Sequence, residues 1–131
     1  MASFKRQVIG IKKLEEVLKS VNGLNVQVGW FSGARYQNGK PVARAAATQE
    51  YGSAIDNIPP RSFMRTTITE KKDEWAKLVK SGSKAMVAGN ASARMVLEGL
   101  GLAASGDIKK KITQINSPAL SPGTIANRKR K

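Results

Sequence analysis

The apolar positions change period several times along this chain, and each change predicts an element. Ile11, Leu14, Leu18 and Val21 recur at helical steps, which predicts an amphipathic helix over 11–21. Its other face carries Lys12, Lys13, Glu15, Glu16 and Lys19, with Glu15 and Lys19 in the favourable i, i+4 order, and Asn22-Gly23 supplies the stop. Residues 1–10 mix Lys5-Arg6 with Phe4, Val8 and Ile9 and read equally as a short edge strand or a flexible arm. From Asn25 to Phe31 the period drops to alternation, Val26, Val28 and Trp30 on one face and Gln27, Gly29 and Phe31 on the other. That pattern predicts a strand with aromatic weight at its end.

The middle of the chain is punctuated by turn residues. Asn38-Gly39 is a turn signal, and Pro41 suits the first position of a helix. Residues 42–51 are rich in Ala, the best helix former, and Gly52 is placed to end that helix with a positive φ. A polar loop follows, closed by Ile58-Pro59-Pro60-Arg61, which the consecutive prolines make stiff and extended. Phe63 and Met64 are the apolar anchors after it.

Helical chemistry then returns. Thr67 stands three residues before Glu70 as a capping-box pair, ahead of a helix carrying Ile68, Trp75, Leu78 and Val79, with Lys71, Lys72, Lys77 and Lys80 on its wet side. Ser81-Gly82-Ser83 is a weak point where this helix is expected to bend or stop. Between 91 and 115, Leu97, Leu100, Ala104, Ile108, Ile112 and Ile115 form one continuous helical stripe. Gly99, Gly101 and Gly106 interrupt its propensity, so either a close-packed neighbour or a helix contact between subunits is expected there. Lys109, Lys110 and Lys111 load the C-terminal end, where the helix dipole favours cations. After the Asn116-Ser117-Pro118 break, Ser121 before Pro122 starts a short last helix that leads into Arg128-Lys129-Arg130-Lys131.

Composition narrows the function more than the fold. At 131 residues the chain suits a single domain, 1–131, with 1–10 as the arm and 126–131 as a basic tail. Its formal charge of +14 implies a polyanionic neighbour or an acidic protein surface. Neither Cys nor His is present, which removes the strongest nucleophile, the commonest general base and thiolate metal sites. The stretch GARYQNGK over 33–40 imitates a P-loop, but its glycines are one residue too far apart and Pro41 stands where the metal-binding hydroxyl belongs. Glu50 and Asp56 are the only carboxylates outside the lysine-flanked helices, and such isolated acids do not assemble a metal site. The reading is therefore not an enzyme, with no cofactor and no metal. No apolar run reaches the length of a membrane span and the start lacks a signal-peptide core, so a soluble protein made in a cytoplasm, with no membrane partner, is expected. Basicity without a zinc pattern or an aromatic reading strand implies contact with a nucleic-acid backbone at most.

Two separated motifs carry a resemblance. The first is Tyr36-x-x-Gly39-x-x-Val42-Ala43, an Ala-rich turn, Glu50-Tyr51-Gly52, a loop, then Ile58-Pro59-x-Arg61-x-Phe63-x-Arg65. The second is Pro118-Ala119-Leu120-Ser121-Pro122-Gly123-Thr124-Ile125. In this order they resemble the tailed-phage virion morphogenesis family, small neck, head–tail joining and tail-completion proteins. The resemblance spans roughly 26–128; the family usually continues past the second motif with a Leu-Ile-Asp-Thr-Gly-like segment, which is not in this sequence.

The resemblance implies a structural virion protein at the head–tail junction, assembled in the host cytoplasm, that closes into a hexameric or dodecameric ring and meets other phage neck, connector and tail proteins. A tail terminator capping the tail tube is the alternative within that class, and a basic DNA-associated protein is the alternative outside it. The expected fold is α+β: a small antiparallel sheet around 26–31, packed by the N-terminal helix and two long C-terminal helices. The expected subunit contacts are the loop of Arg35, Tyr36, Asn38, Gly39 and Lys40 and the turn of Ile58, Pro59, Pro60 and Arg61, with Phe63 as anchor and Arg61 and Arg65 as partners for acidic neighbours. Arg128, Lys129, Arg130 and Lys131 would add non-specific, salt-dependent contact with genomic DNA.

Overall fold

The computed structural model describes residues 2–115 together with Pro122 and Ile125, and for 2–9 the backbone only. Its element order is α1 (Ala2–Val21), α2 (Val42–Tyr51), α3 (Phe63–Val87) and α4 (Ala93–Gln114). Among the described residues there is no sheet; strand-like pairing is limited to the isolated bridges Arg35↔Pro41 and Ser53↔Ile58. The fold is helical, and the expected α+β architecture is corrected.

The difference lies in what covers Val26, Val28 and Trp30. Alternation of Val26, Val28 and Trp30 specifies a segment with one apolar face, and it says nothing about what covers that face. Here helices cover it. A Cβ on Gly101 of α4 would stand 2.7 Å from a methyl of Val26 and 3.9 Å from one of Val28, so these valines lie flat on the glycine. Trp30 meets Phe63, the first residue of α3, edge to face with ring centroids 5.4 Å apart. Valine on helix and aromatic on aromatic replace the expected neighbouring strand.

By contact the chain divides into two compact units. The first joins Met1–Val28 to Lys71–Ser105, that is, α1, the segment after it, and the adjoining parts of α3 and α4. Helix α1 begins at Ala2, so the described part of 1–10 is helical rather than a strand and continues the helix predicted for 11–21. Gly23, at φ 76, follows its end as expected. Helix α3 runs through Ser81-Gly82-Ser83 without a stop: Gly82 is there for contact, since a Cβ on it would lie 2.5 Å from Val96 of α4. The α3 end is closed by Asn90 N–H donating to Ala85 O (2.8 Å) and Gly89 N–H donating to Met86 O (3.0 Å), a Schellman pattern. Ser92 then caps α4 through its Oγ, which accepts from the Met95 amide at 3.2 Å. Met86, Ala93 and Ala104 are buried here.

The second unit joins Gly29–Glu70 to the chain from Gly106 onward. Val42–Tyr51 is a helix with the bounds read from the sequence, although Pro41 is its extended N-cap rather than its first turn. Thr67 is not a cap. It lies inside α3, 1% exposed, and its hydroxyl donates to Phe63 O at 2.5 Å. The C-terminal part of α4 buries Ile108 and ties Lys111 to Glu70 of α3 at 2.5 Å. No helix among the described residues is long and apolar enough to cross a membrane. Pro122 and Ile125 are helical; Ser121, Thr124 and the rest of the predicted last helix lie outside the described residues.

Candidate interaction surface

The first motif builds a joint between α2 and α3, and Glu50 is its centre. At the N-terminus of a helix the first amides lack intrahelical acceptors, and a carboxylate there is favoured by both hydrogen bonding and the dipole. Glu50, 4% exposed in the last turn of α2, supplies that carboxylate from another helix. Its Oε2 accepts from Met64 N–H at 2.8 Å. Its Oε1 accepts from Arg65 N–H at 3.1 Å, from the Ser62 hydroxyl at 2.8 Å and from the Arg65 guanidinium at 2.8 Å. Arg65 also donates to the Glu50 carbonyl at 3.1 Å and stands over the Tyr51 ring at 4.9 Å, so one side chain finishes the end of α2 while its neighbour starts α3. Burial pushes the Glu50 carboxyl up. The Arg65 guanidinium, the Met64 amide, the Ser62 hydroxyl and the Arg65 amide together outweigh it and hold the pKa below the ordinary glutamate value.

The loop inside this joint is fixed by Gly52 and Arg61. Gly52 has φ 75, and a Cβ on it would lie 2.7 Å from Ile58 O and 2.9 Å from Pro60 N, so the Ile58-Pro59-Pro60 run passes directly against its backbone. Ser53 and Ile58 exchange backbone hydrogen bonds at 2.8 and 2.9 Å. Arg61 is 8% exposed; its amide donates to Gln49 O at 2.6 Å and its guanidinium to Gln49 Oε1 at 3.2 Å. Phe63 is 5% exposed. Of the residues expected to face a neighbour, Arg61 and Phe63 are therefore turned inward on their own chain, and Ile58 is half-buried. Pro59, Pro60 and Arg65 are exposed.

The loop before α2 is the outward part. Arg35, Tyr36, Asn38, Gly39 and Lys40 are all exposed. Tyr36 N–H donates to Lys40 O and Gly39 N–H to Tyr36 O, both at 2.9 Å; Lys40 N–H donates to Asn38 Oδ1 at 3.1 Å, and the Arg35 guanidinium to Gly39 O at 2.9 Å. Gly39, at φ 79, makes this turn possible. Behind it lies a cleft of about 500 Å³, with Tyr36 at its wall and Trp30, Val42, Phe63 and Ile112 among its apolar lining. The surface is thus a closed cationic loop beside an apolar hollow, at the N-terminal end of α2.

Residues 128–131, read as phosphate contacts, lie outside the described residues. Sequence reasoning set Glu50 aside as an isolated acid; the signal that could have found it is a glutamate ending one predicted helix, followed by a Pro-closed loop and the start of the next. No protein-family model matches the chain, and no curated protein or solved structure matches it.

Proposed function

We propose that the chain is a structural virion protein of a tailed phage, a head–tail junction subunit that assembles into a homo-oligomeric ring and joins head to tail. The observation that carries the assembly reading is the loop from Arg35 to Lys40: exposed, cationic and closed by its own hydrogen bonds. A loop already fixed in one conformation loses little entropy on docking. The phage context comes from the two motifs; within the first, the spacing of Glu50, Gly52 and Arg65 has a physical rationale in the joint between α2 and α3. The partners are neighbouring copies and the acidic surfaces of neck, connector and tail proteins, and the mechanism is assembly without chemistry.

Lys40 tests the loop cleanly because it serves the turn through its main-chain groups. Lys40→Glu should leave the circular dichroism spectrum unchanged and lower the yield of infectious particles at least roughly tenfold, since like-charge juxtaposition in an interface costs several kcal/mol. An unchanged yield would remove the loop from the contact surface.

A further inference from the structure

Helix α1 is set on its chain with the apolar side outward. Around a helix, Ile11, Leu14 and Leu18 share one face, and they are 58%, 47% and 58% exposed. The groove between α1 and the turn joining α3 to α4 is lined instead by Lys13, Glu16, Val17 and Ser20. Among the described side chains of α1 only Val17 is even half-buried. Helices draw most of their stability from a packed apolar face, so this stripe is built for a partner.

The same unit exposes a second face that matches it. On α4, Met95, Glu98, Gly99 and Leu102 follow helical spacing on the outer side, with Met95 61% and Leu102 77% exposed. A Cβ on Gly99 would meet nothing within 4 Å, so the glycine leaves a hollow between two apolar side chains. Gly101, by contrast, is occupied by Val26. Charge agrees with shape. Along α1 the flank of the stripe reads Glu15 then Lys19, acid before base at i, i+4. Along α4 the flank reads Arg94 then Glu98, base before acid at the same spacing, their side chains 2.7 Å apart.

We infer that the Ile11–Leu14–Leu18 stripe of α1 seats on the Met95–Gly99–Leu102 face of α4 in a second copy of this chain. With the two helices parallel, both charged flanks fall on the same edge of the contact. Leu18 over the Gly99 hollow then brings Glu15 and Lys19 within about one helical turn of Arg94 and Glu98 respectively. The two faces differ, so the contact is heterologous and propagates from copy to copy, closing into a ring where the rotation allows it. This rests on the homo-oligomer part of the proposed function and names the surface that part requires; it does not use the phage assignment.

The chain has no cysteine, so single cysteines report the contact without background. Leu18→Cys and Gly99→Cys proteins are purified, mixed and oxidised, with the size of the unmodified protein followed by light scattering. The expected result is a disulfide-linked dimer in the mixture and in neither protein alone, because a disulfide needs Cα atoms within about 7 Å. Leu18→Cys linking to itself would overturn the proposal in favour of α1 pairing with α1. An oligomer that gives no mixed dimer would overturn this contact and leave the ring reading intact. A monomer at every concentration, with no cross-link, would overturn both.

Discussion

Replacing Glu50 by Ala is expected to destabilise the fold by about 3 kcal/mol, the range for breaking a buried charge-assisted network. One substitution removes the acceptor for the Met64 and Arg65 amides and for Ser62, at the point where α3 begins. A loss of that size lowers the melting temperature by roughly 10 °C in a chain this long. Arg65→Ala is the control. Its side chain is 57% exposed, so its pairing with Glu50 is screened and its loss should cost no more than about 1 kcal/mol. Equal effects of the two changes would mean that the ion pair, rather than helix capping, holds the joint. The same carboxylate sets a pH dependence. Its folded pKa lies below the unfolded value near 4.5, so the folded protein binds the proton less readily. The stabilisation is therefore complete above about pH 5 and is lost as pH falls through the folded pKa. Acid unfolding monitored by circular dichroism should show a destabilisation below that range which Glu50→Gln removes.

Gly52→Ala should be of similar size, about 3 kcal/mol or more, for two independent reasons. The residue has φ 75 and ψ 178, a region essentially closed to side chains, which costs about 1–3 kcal/mol. The added Cβ would also sit 2.7 Å from a backbone oxygen and 2.9 Å from a proline nitrogen, atoms that move only with the whole loop. Gly23→Ala separates the two effects. It has φ 76 and nothing within 4 Å of the added carbon, so only backbone strain of about 1 kcal/mol applies. If thermal melts show equal losses at both positions, the close approach of Ile58 and Pro60 contributes nothing.

Local signals are legible in this chain and long-range ones are not. Residues 42–51 are a helix because Ala-rich composition, a preceding proline and a following glycine all act within a few residues. The α4 stripe is legible because its period persists over several turns, and its members Ala104 and Ile108 are buried. The sheet failed at Val26–Val28: alternation fixes which side is apolar, while the cover came from Gly101, far along the chain. Thr67 looked like a cap because the cap that starts α3 is Glu50, which reaches its amides across 14 and 15 residues and leaves no local spacing to read. Gly82 looked like a break because a glycine that packs and a glycine that bends are the same letter. For α1 the stripe was legible, but not its direction. Periodicity finds an apolar face without saying whether the chain itself covers it. At the candidate surface the loop from Arg35 to Lys40 could be read from its turn residues, whereas the inward course of Arg61 depends on Gln49, in a different element.

The joining role is tested most directly by electron microscopy of lysates from a phage deleted for this gene. The expected result is DNA-filled heads and finished tails that remain separate, restored to whole particles when the intact chain is supplied. Tails of abnormal length would assign the chain to capping the tube instead. Normal, joined particles in the absence of the gene would contradict the proposed function.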